Sequence, residues 1–188
     1  MSSAEMFVVR EWTDFVKMVL GAVAWAVERV IVIDESDRKG GYFTLVDYET
    51  GGVLIPPTLI GEVINGKGDK YKSYCQEKAG RLLSVAPAMA RLIDASLVPL
   101  PLPYITDGVW GGLASSELRD ELREQWGGAV LTLGISGHPL ILSFSGLTEA
   151  QDEAAMMIAA NKADVVSRRD IRTLASRAKN EIVLRFYQ

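Results

Sequence analysis

The stretch Gly127 to Ala160, GGAVLTLGISGHPLILSFSGLTEAQDEAAMMIAA, decides how the rest of the chain is read. Ala129 to Ile135 is apolar and β-prone. Ser136, Gly137, His138 and Pro139 supply turn chemistry: Gly tolerates positive φ, and Pro fixes its own φ and brings no N–H to a ladder. Leu140 to Phe144 is a second apolar run, so the two runs predict a β-hairpin buried on both faces or nearly so. After Ser145 and Gly146 the period changes. Thr148 and Gln151 form a capping-box pattern. Glu149, Asp152 and Glu153 place negative charge in the first helical turns, where the macrodipole favours it. The helix then runs through Ala154, Ala155, Met157, Ile158 and Ala159, with small residues that permit close packing on a sheet.

Toward the N-terminus, residues 1–6 are expected to fray. Glu11 to about Arg29 has Trp12, Phe15, Val16, Val19, Val23, Ala26, Val27 and Val30 at helical spacing. Val30 to Ile33 is a short strand candidate. Tyr42 to Tyr48 and Val53 to Ile55 predict strands joined at Glu49-Thr50-Gly51-Gly52. Pro56-Pro57 ends the second of these or marks it as an edge. Gly61 to Asp69 reads as loop. Lys70 to Leu83 predicts a helix with Tyr71, Tyr74, Cys75, Lys78, Ala79 and Leu82 on one face, and Ala86 to Ile93 extends it or forms a second short helix. Pro99, Pro101 and Pro103 impose an extended segment. Ser115 or Ser116 can cap a short charged helix over Glu117 to Gln125. Beyond the central stretch, Ser167 to Asp170 starts a basic final helix with an apolar stripe of Ile171, Leu174, Ala175, Ala178 and Ile182. Val183 to Phe186 extends that helix or pairs as an edge strand.

With 188 residues, 48% apolar and 23% charged, the chain is expected to be one ordinary globular domain. Its net charge of −4 argues against nonspecific nucleic-acid binding. The single cysteine, Cys75, excludes an internal disulfide, and the single histidine, His138, leaves little room for a His-based metal site or a Ser/His/Asp triad. Met18 to Val27 is too short to span a bilayer, which needs about 20 residues. Glu5, Glu11 and Asp14 precede it where a signal peptide carries basic residues, so the expectation is a cytoplasmic protein rather than one secreted by signal cleavage.

Helix, hairpin, helix, variable loop, hairpin, helix is the order of profilin-like α/β domains. Leu45-Val46-Asp47 before Gly51-Gly52-Val53-Leu54, then Glu77-Lys78-Ala79 in a helix, resembles the first half of the GlcG/HbpS-like family. Gly127-Gly128, Gly134-Ile135-Ser136-Gly137 and Asp152-Glu153-Ala154 resemble its second half. The resemblance covers roughly residues 10–162 in short motifs. It implies a small α/β unit, haem or another small molecule as ligand, and a homo-oligomer. In the family the Ser-Gly follows the last strand; here Ser145-Gly146 fills that place, and Ser136-Gly137 becomes the hairpin turn. The basic helix after residue 165 has no counterpart. No catalytic residue is carried over.

Five residues are candidates for a ligand site. His138 suits an axial haem ligand or a general base, against the plainer reading of an exposed turn histidine. Trp110, Trp126 and Tyr104 flank the Pro-rich segment and suit the wall of an apolar pocket, against a role in covering the sheet or an oligomer interface. Glu153 suits a pocket where helix and hairpin meet. Adjacent residues on a helix point about 100° apart, so Asp152 and Glu153 do not form a metal pair, and helix-start electrostatics accounts for both. Neither GxGxxG nor GxxxxGK[ST] is present. The Arg-rich final helix lacks the aromatic interleaving of a nucleic-acid surface and reads as a solvated face.

The sequence therefore predicts an α+β protein: a profilin-like domain over residues 7–163, an antiparallel sheet with packed helices, and a C-terminal helical extension over 164–188. The expected function is small-ligand binding or sensing, haem included, without catalysis. The alternatives are a structural protein acting through self-association and an enzyme on a small organic acid or tetrapyrrole. No nucleophile–base pair supports the last.

Overall fold

The computed structural model describes residues 3–64, 66–94, 112–118, 125–133 and 139–188. It is an α+β fold built on a five-stranded antiparallel sheet. The elements are α1 (Ser3–Ile33), β1 (Lys39–Asp47), β2 (Val53–Glu62), α2 (Gly68–Asp94), β3 (Leu113–Ala114), β4 (Ala129–Leu133), β5 (Pro139–Ser145), α3 (Glu149–Lys162), α4 (Arg168–Arg177) and α5 (Glu181–Phe186), with a short 3-10 turn at Ser115–Leu118 after β3. The strand order is β2-β1-β5-β4-β3. The two hairpins expected from the sequence are present, and the long-range pairing of β1 with β5 joins them.

Alternation along the strands divides the core into two layers. Phe43, Leu45, Val130, Leu140, Leu142 and Phe144 pack toward α1 and α3. Val46, Ala129, Leu131 and Ile141 pack toward Ala79 and Leu82 of α2 on the opposite face. Burial on both sides explains why β5 reads as an unbroken apolar run: every one of its residues is buried. Within α3, all residues from Gln151 to Ala160 are buried, because α1 covers the side that the sheet does not. Thr148 caps α3 with the expected capping box, in which Gln151 N–H donates to the Thr148 hydroxyl and Thr148 N–H donates to the Gln151 carboxamide oxygen.

Several boundaries differ from the sequence reading. Residues 30–33 finish α1 rather than forming a strand, since Val30 continues the buried stripe of Val19, Val23, Ala26 and Val27. The β2 strand continues through Pro56-Pro57 to Glu62, which an edge position allows because an edge strand needs ladder donors on one side only. Gly61 and Glu62 therefore belong to β2, and α2 starts at Gly68 and runs past Pro87 as one helix. The segment after β3 is a 3-10 turn; the remainder of the helix expected over 117–125 lies largely outside the described residues. The C-terminal extension is two helices capped by Ser167 and Asn180, and Val183 to Phe186 sits in the second. Both helices dock on α3 through Ile171, Leu174, Ala175, Ile182 and Val183. No helix among the described residues is long and apolar enough to cross a membrane.

Close approach of β1 to the end of β5 fixes Ser145. A Cβ on Gly41 would lie 2.2 Å from the Ser145 carbonyl oxygen, so only glycine fits there. The layered core makes a quantitative expectation. In chemical denaturation, Phe144→Ala costs about 3–5 kcal/mol because its side chain is fully buried between layers. Leu59→Ala on the exposed edge strand stays within about 0.5 kcal/mol of the parent.

Candidate functional site

The α2-facing side of the sheet changes character along its length. Val46 pairs with Ile141, Thr44 with Ser143, and Tyr42 with Ser145. The apolar end is filled by Ala79 and Leu82. In the middle, α2 and β5 exchange hydrogen bonds: the Ser143 hydroxyl donates to Cys75 O at 2.7 Å and the Cys75 thiol donates to Ser143 O at 3.3 Å. Burial pushes the Cys75 thiol up to about 12, which leaves it a packing group and not a nucleophile near neutral pH.

At the polar end lies a buried ion pair. The Lys78 ammonium donates to Asp152 Oδ2 at 2.8 Å and to Phe144 O at 3.1 Å. Asp152 Oδ1 accepts from Leu147 N at 2.8 Å. Both side chains are almost wholly buried, at 4% and 3% exposure. Burial pushes the Asp152 carboxyl up from the ordinary carboxylate range, and Lys78 opposes that push. Gly128 makes room for the pair. Its φ is +126°, and a Cβ there would meet Lys78 Nζ at 2.6 Å and Asp152 Cβ at 2.8 Å.

The pair forms the inner wall of a cleft of about 550 Å³. Ser145 at the end of β5 and Leu147 and Thr148 before α3 continue that wall. Tyr74 and Tyr71 enter from α2, about one and two helical turns before Lys78, and Trp126 enters from the connection just before β4. Trp126 is held by its backbone: its carbonyl accepts from the Arg81 guanidinium, and the next N–H, of Gly127, donates to Glu149 Oε1 at 2.6 Å. Arg38, Lys67 and Lys70 add positive charge to the lining. The Arg38 guanidinium donates to Leu147 O and more weakly to Gly146 O, which joins β1 to the start of α3.

Of the residues singled out from the sequence, Trp126 lines this cleft. His138, Trp110 and Tyr104 lie outside the described residues. Glu153 does not line it. One residue after Asp152 on α3, it points elsewhere and accepts from Ser116 N at 3.2 Å with 2% exposure. Asp152 does lie in the first turn of α3, and beyond that placement both carboxylates are buried and bonded to other elements of the fold. Desolvation pushes Glu153 up to about 7, against the hydrogen bonds from Ser116. Sequence reasoning missed Arg38, Lys67, Lys70, Lys78, Asp152 and the two tyrosines as site residues. The signal for Lys78 was present, a charged residue on the otherwise apolar face of α2. Arg38 and Lys67 sit in connections, where nothing local marks them.

Among the described residues no group of three His, Cys, Asp or Glu side chains could hold a metal ion. Of the side chains that commonly ligate haem iron, the described lining contains only the phenols of Tyr71 and Tyr74. No known protein family, no characterised protein and no solved structure matches this chain.

Two measurements test the buried carboxylates. Lys78→Met strands a buried charge and lowers the unfolding free energy by roughly 3–5 kcal/mol. Adding Asp152→Asn, which keeps an acceptor for Leu147 N, restores at least half of that loss; a double variant as unstable as the single would show that the charge is not the cause. For Glu153 the folded-state pKa is raised from 4.5 to about 7, so its contribution is fully present below about pH 4.5 and is lost as pH rises through about 7. The stability of Glu153→Gln relative to the parent should thus rise by roughly 3 kcal/mol on going from acid to pH 8 in urea titrations. A difference that stays flat with pH would place Glu153 in a solvated environment.

Proposed function

We propose that the protein binds a small ligand in the cleft between α2, the end of β5 and the start of α3, and acts as a binding or sensing module rather than a catalyst. One observation carries this reading: aromatic side chains and charged groups from separate parts of the chain converge on a concavity of about 550 Å³, with a buried ion pair in its inner wall. Ligand sites combine an apolar, aromatic lining with a few placed polar groups in this way. Catalysis would require a pair of titratable groups free to exchange protons with a substrate. Here Asp152 is committed to Lys78 and Leu147 N, Cys75 is buried away from the cleft, and Glu153 faces the 3-10 turn. Haem stays a candidate ligand through His138, and a saturable Soret shift lost in His138→Ala is its test.

A second reading, self-association, is favoured by the exposed apolar side chains of Val53 and Leu59 on β2 and Val32 on α1. In it the cleft is incidental.

Native mass spectrometry of freshly purified protein, followed by thermal shift with a small-molecule library, separates the two. The binding reading expects a co-purifying molecule or a stabilising compound; saturation at a hundredfold excess over Kd contributes about 2.7 kcal/mol. Tyr74→Ala and Trp126→Ala should each abolish that stabilisation, and Leu59→Ala should not. An empty oligomer, indifferent to every compound and dissociated by Leu59→Asp, would transfer the function to assembly.

A further inference from the structure

We infer that the cleft selects a small organic oxyanion, a carboxylate or phosphate carried on a flat apolar body. This rests on the cleft being a ligand site, and concerns which chemistry it takes.

The charge of the cleft runs against the charge of the chain. Acidic residues outnumber basic ones overall, 24 to 20, yet the lining holds four cations and two carboxylates. Both carboxylates are engaged within the fold: Asp152 by Lys78 and Leu147 N, Glu149 by Gly127 N. Lys67 and Lys70, both exposed, have no carboxylate partner among the described residues. Lys70 instead sits 5.3 Å from the centre of the Tyr74 ring, which brings its ammonium and an aromatic face to the same place. The cleft therefore carries positive charge that nothing described in the fold neutralises.

A second, independent feature points the same way. Ser145 lines the cleft at 3% exposure, and its hydroxyl makes no hydrogen bond with any described residue. Its O–H is a donor available to a ligand oxygen at the inner wall. The amino end of α3 opens beside it at Thr148, where the helix dipole also favours negative charge. Tyr71, Tyr74 and Trp126 supply apolar area for the body of the ligand, and a bare inorganic ion would leave that area unused.

The test is titration calorimetry with matched probes: benzoate, 2-naphthoate and phenyl phosphate, each against its neutral alcohol or amide counterpart, with inorganic phosphate alone as a further control. Amide chemical shifts locate the site. At least one organic anion should bind saturably at the cleft about tenfold more tightly than its neutral counterpart, and lose affinity as salt is raised. The double variant Lys67→Gln/Lys70→Gln should weaken the anion by about tenfold and leave the neutral probe unchanged. Ser145→Ala should weaken the anion further. Both lysines are exposed, so the double variant keeps its fold, checked by circular dichroism. Neutral probes binding as tightly as the anions, with no response to the lysine changes, would overturn the inference and leave the cleft a ligand site of another kind. No response at the cleft to any probe, charged or neutral, at millimolar concentration would overturn both. Tight binding of inorganic phosphate alone, unimproved by an organic body, would overturn the flat apolar part of the assignment.

Discussion

Lys78 and Asp152 hold α2 to α3 across the end of β5, and the shape of the cleft depends on that contact. Each partner also anchors a backbone group, Phe144 O and Leu147 N, so the pair fixes where β5 ends and α3 begins. A buried ion pair seldom adds much net stability, because desolvation of two charges cancels most of their attraction. What it contributes here is position. An apolar pair of the same volume could slide; a donor and an acceptor with three committed bonds among them cannot. Gly128 shows how tightly the surroundings are fitted to this arrangement, since a single added methyl group has no room beside the two side chains.

The cleft exists because the α2-facing side of the sheet passes from aliphatic to hydroxyl-bearing residues. Where Val46 and Ile141 face Ala79 and Leu82, helix and sheet close on one another. Where Ser143 faces Cys75, helix and sheet are joined by specific hydrogen bonds. At Ser145 the packing stops, and the tyrosines of α2 border open space. The opposite face has no such gradient. There Phe43, Leu142 and Phe144 meet α1 and α3 in continuous apolar packing, and the C-terminal helices seal the outer side of α3. One layer gives the domain its cohesion, and the other gives it a site.

How much of this was legible in the sequence depended on the range of the signal. The second hairpin and α3 follow from apolar runs and a capping box, both local patterns, and the pairing register of β4 and β5 agrees with them. Val30 to Ile33 misled because β-branched residues have strand propensity, and the buried stripe of a long helix outweighed it. Pro56-Pro57 allowed two readings, and only the position of β2 at the sheet edge decides between them. The site was less legible than the fold. Trp126 was singled out for its aromatic character. Helix electrostatics was a sufficient local account of Asp152 and Glu153, because a sequence does not show that α1, α2 and the 3-10 turn bury the start of α3. Arg38 and Lys67 are ordinary surface residues until β1 and α2 bring them to the same opening.

The edge strand β2 sets how the sheet can grow. Its outer rim carries apolar side chains, Val53 at 59% and Leu59 at 50% exposure, of the kind that invites another chain to add a strand. Yet Pro56 and Pro57 remove two successive N–H groups from the middle of the strand, and the Thr58 hydroxyl occupies the carbonyl of Pro56. An incoming strand would find its ladder interrupted at the centre. The rim can therefore be touched by side chains of a neighbour without being templated by its backbone, which separates reversible contact from fibril growth on the same surface.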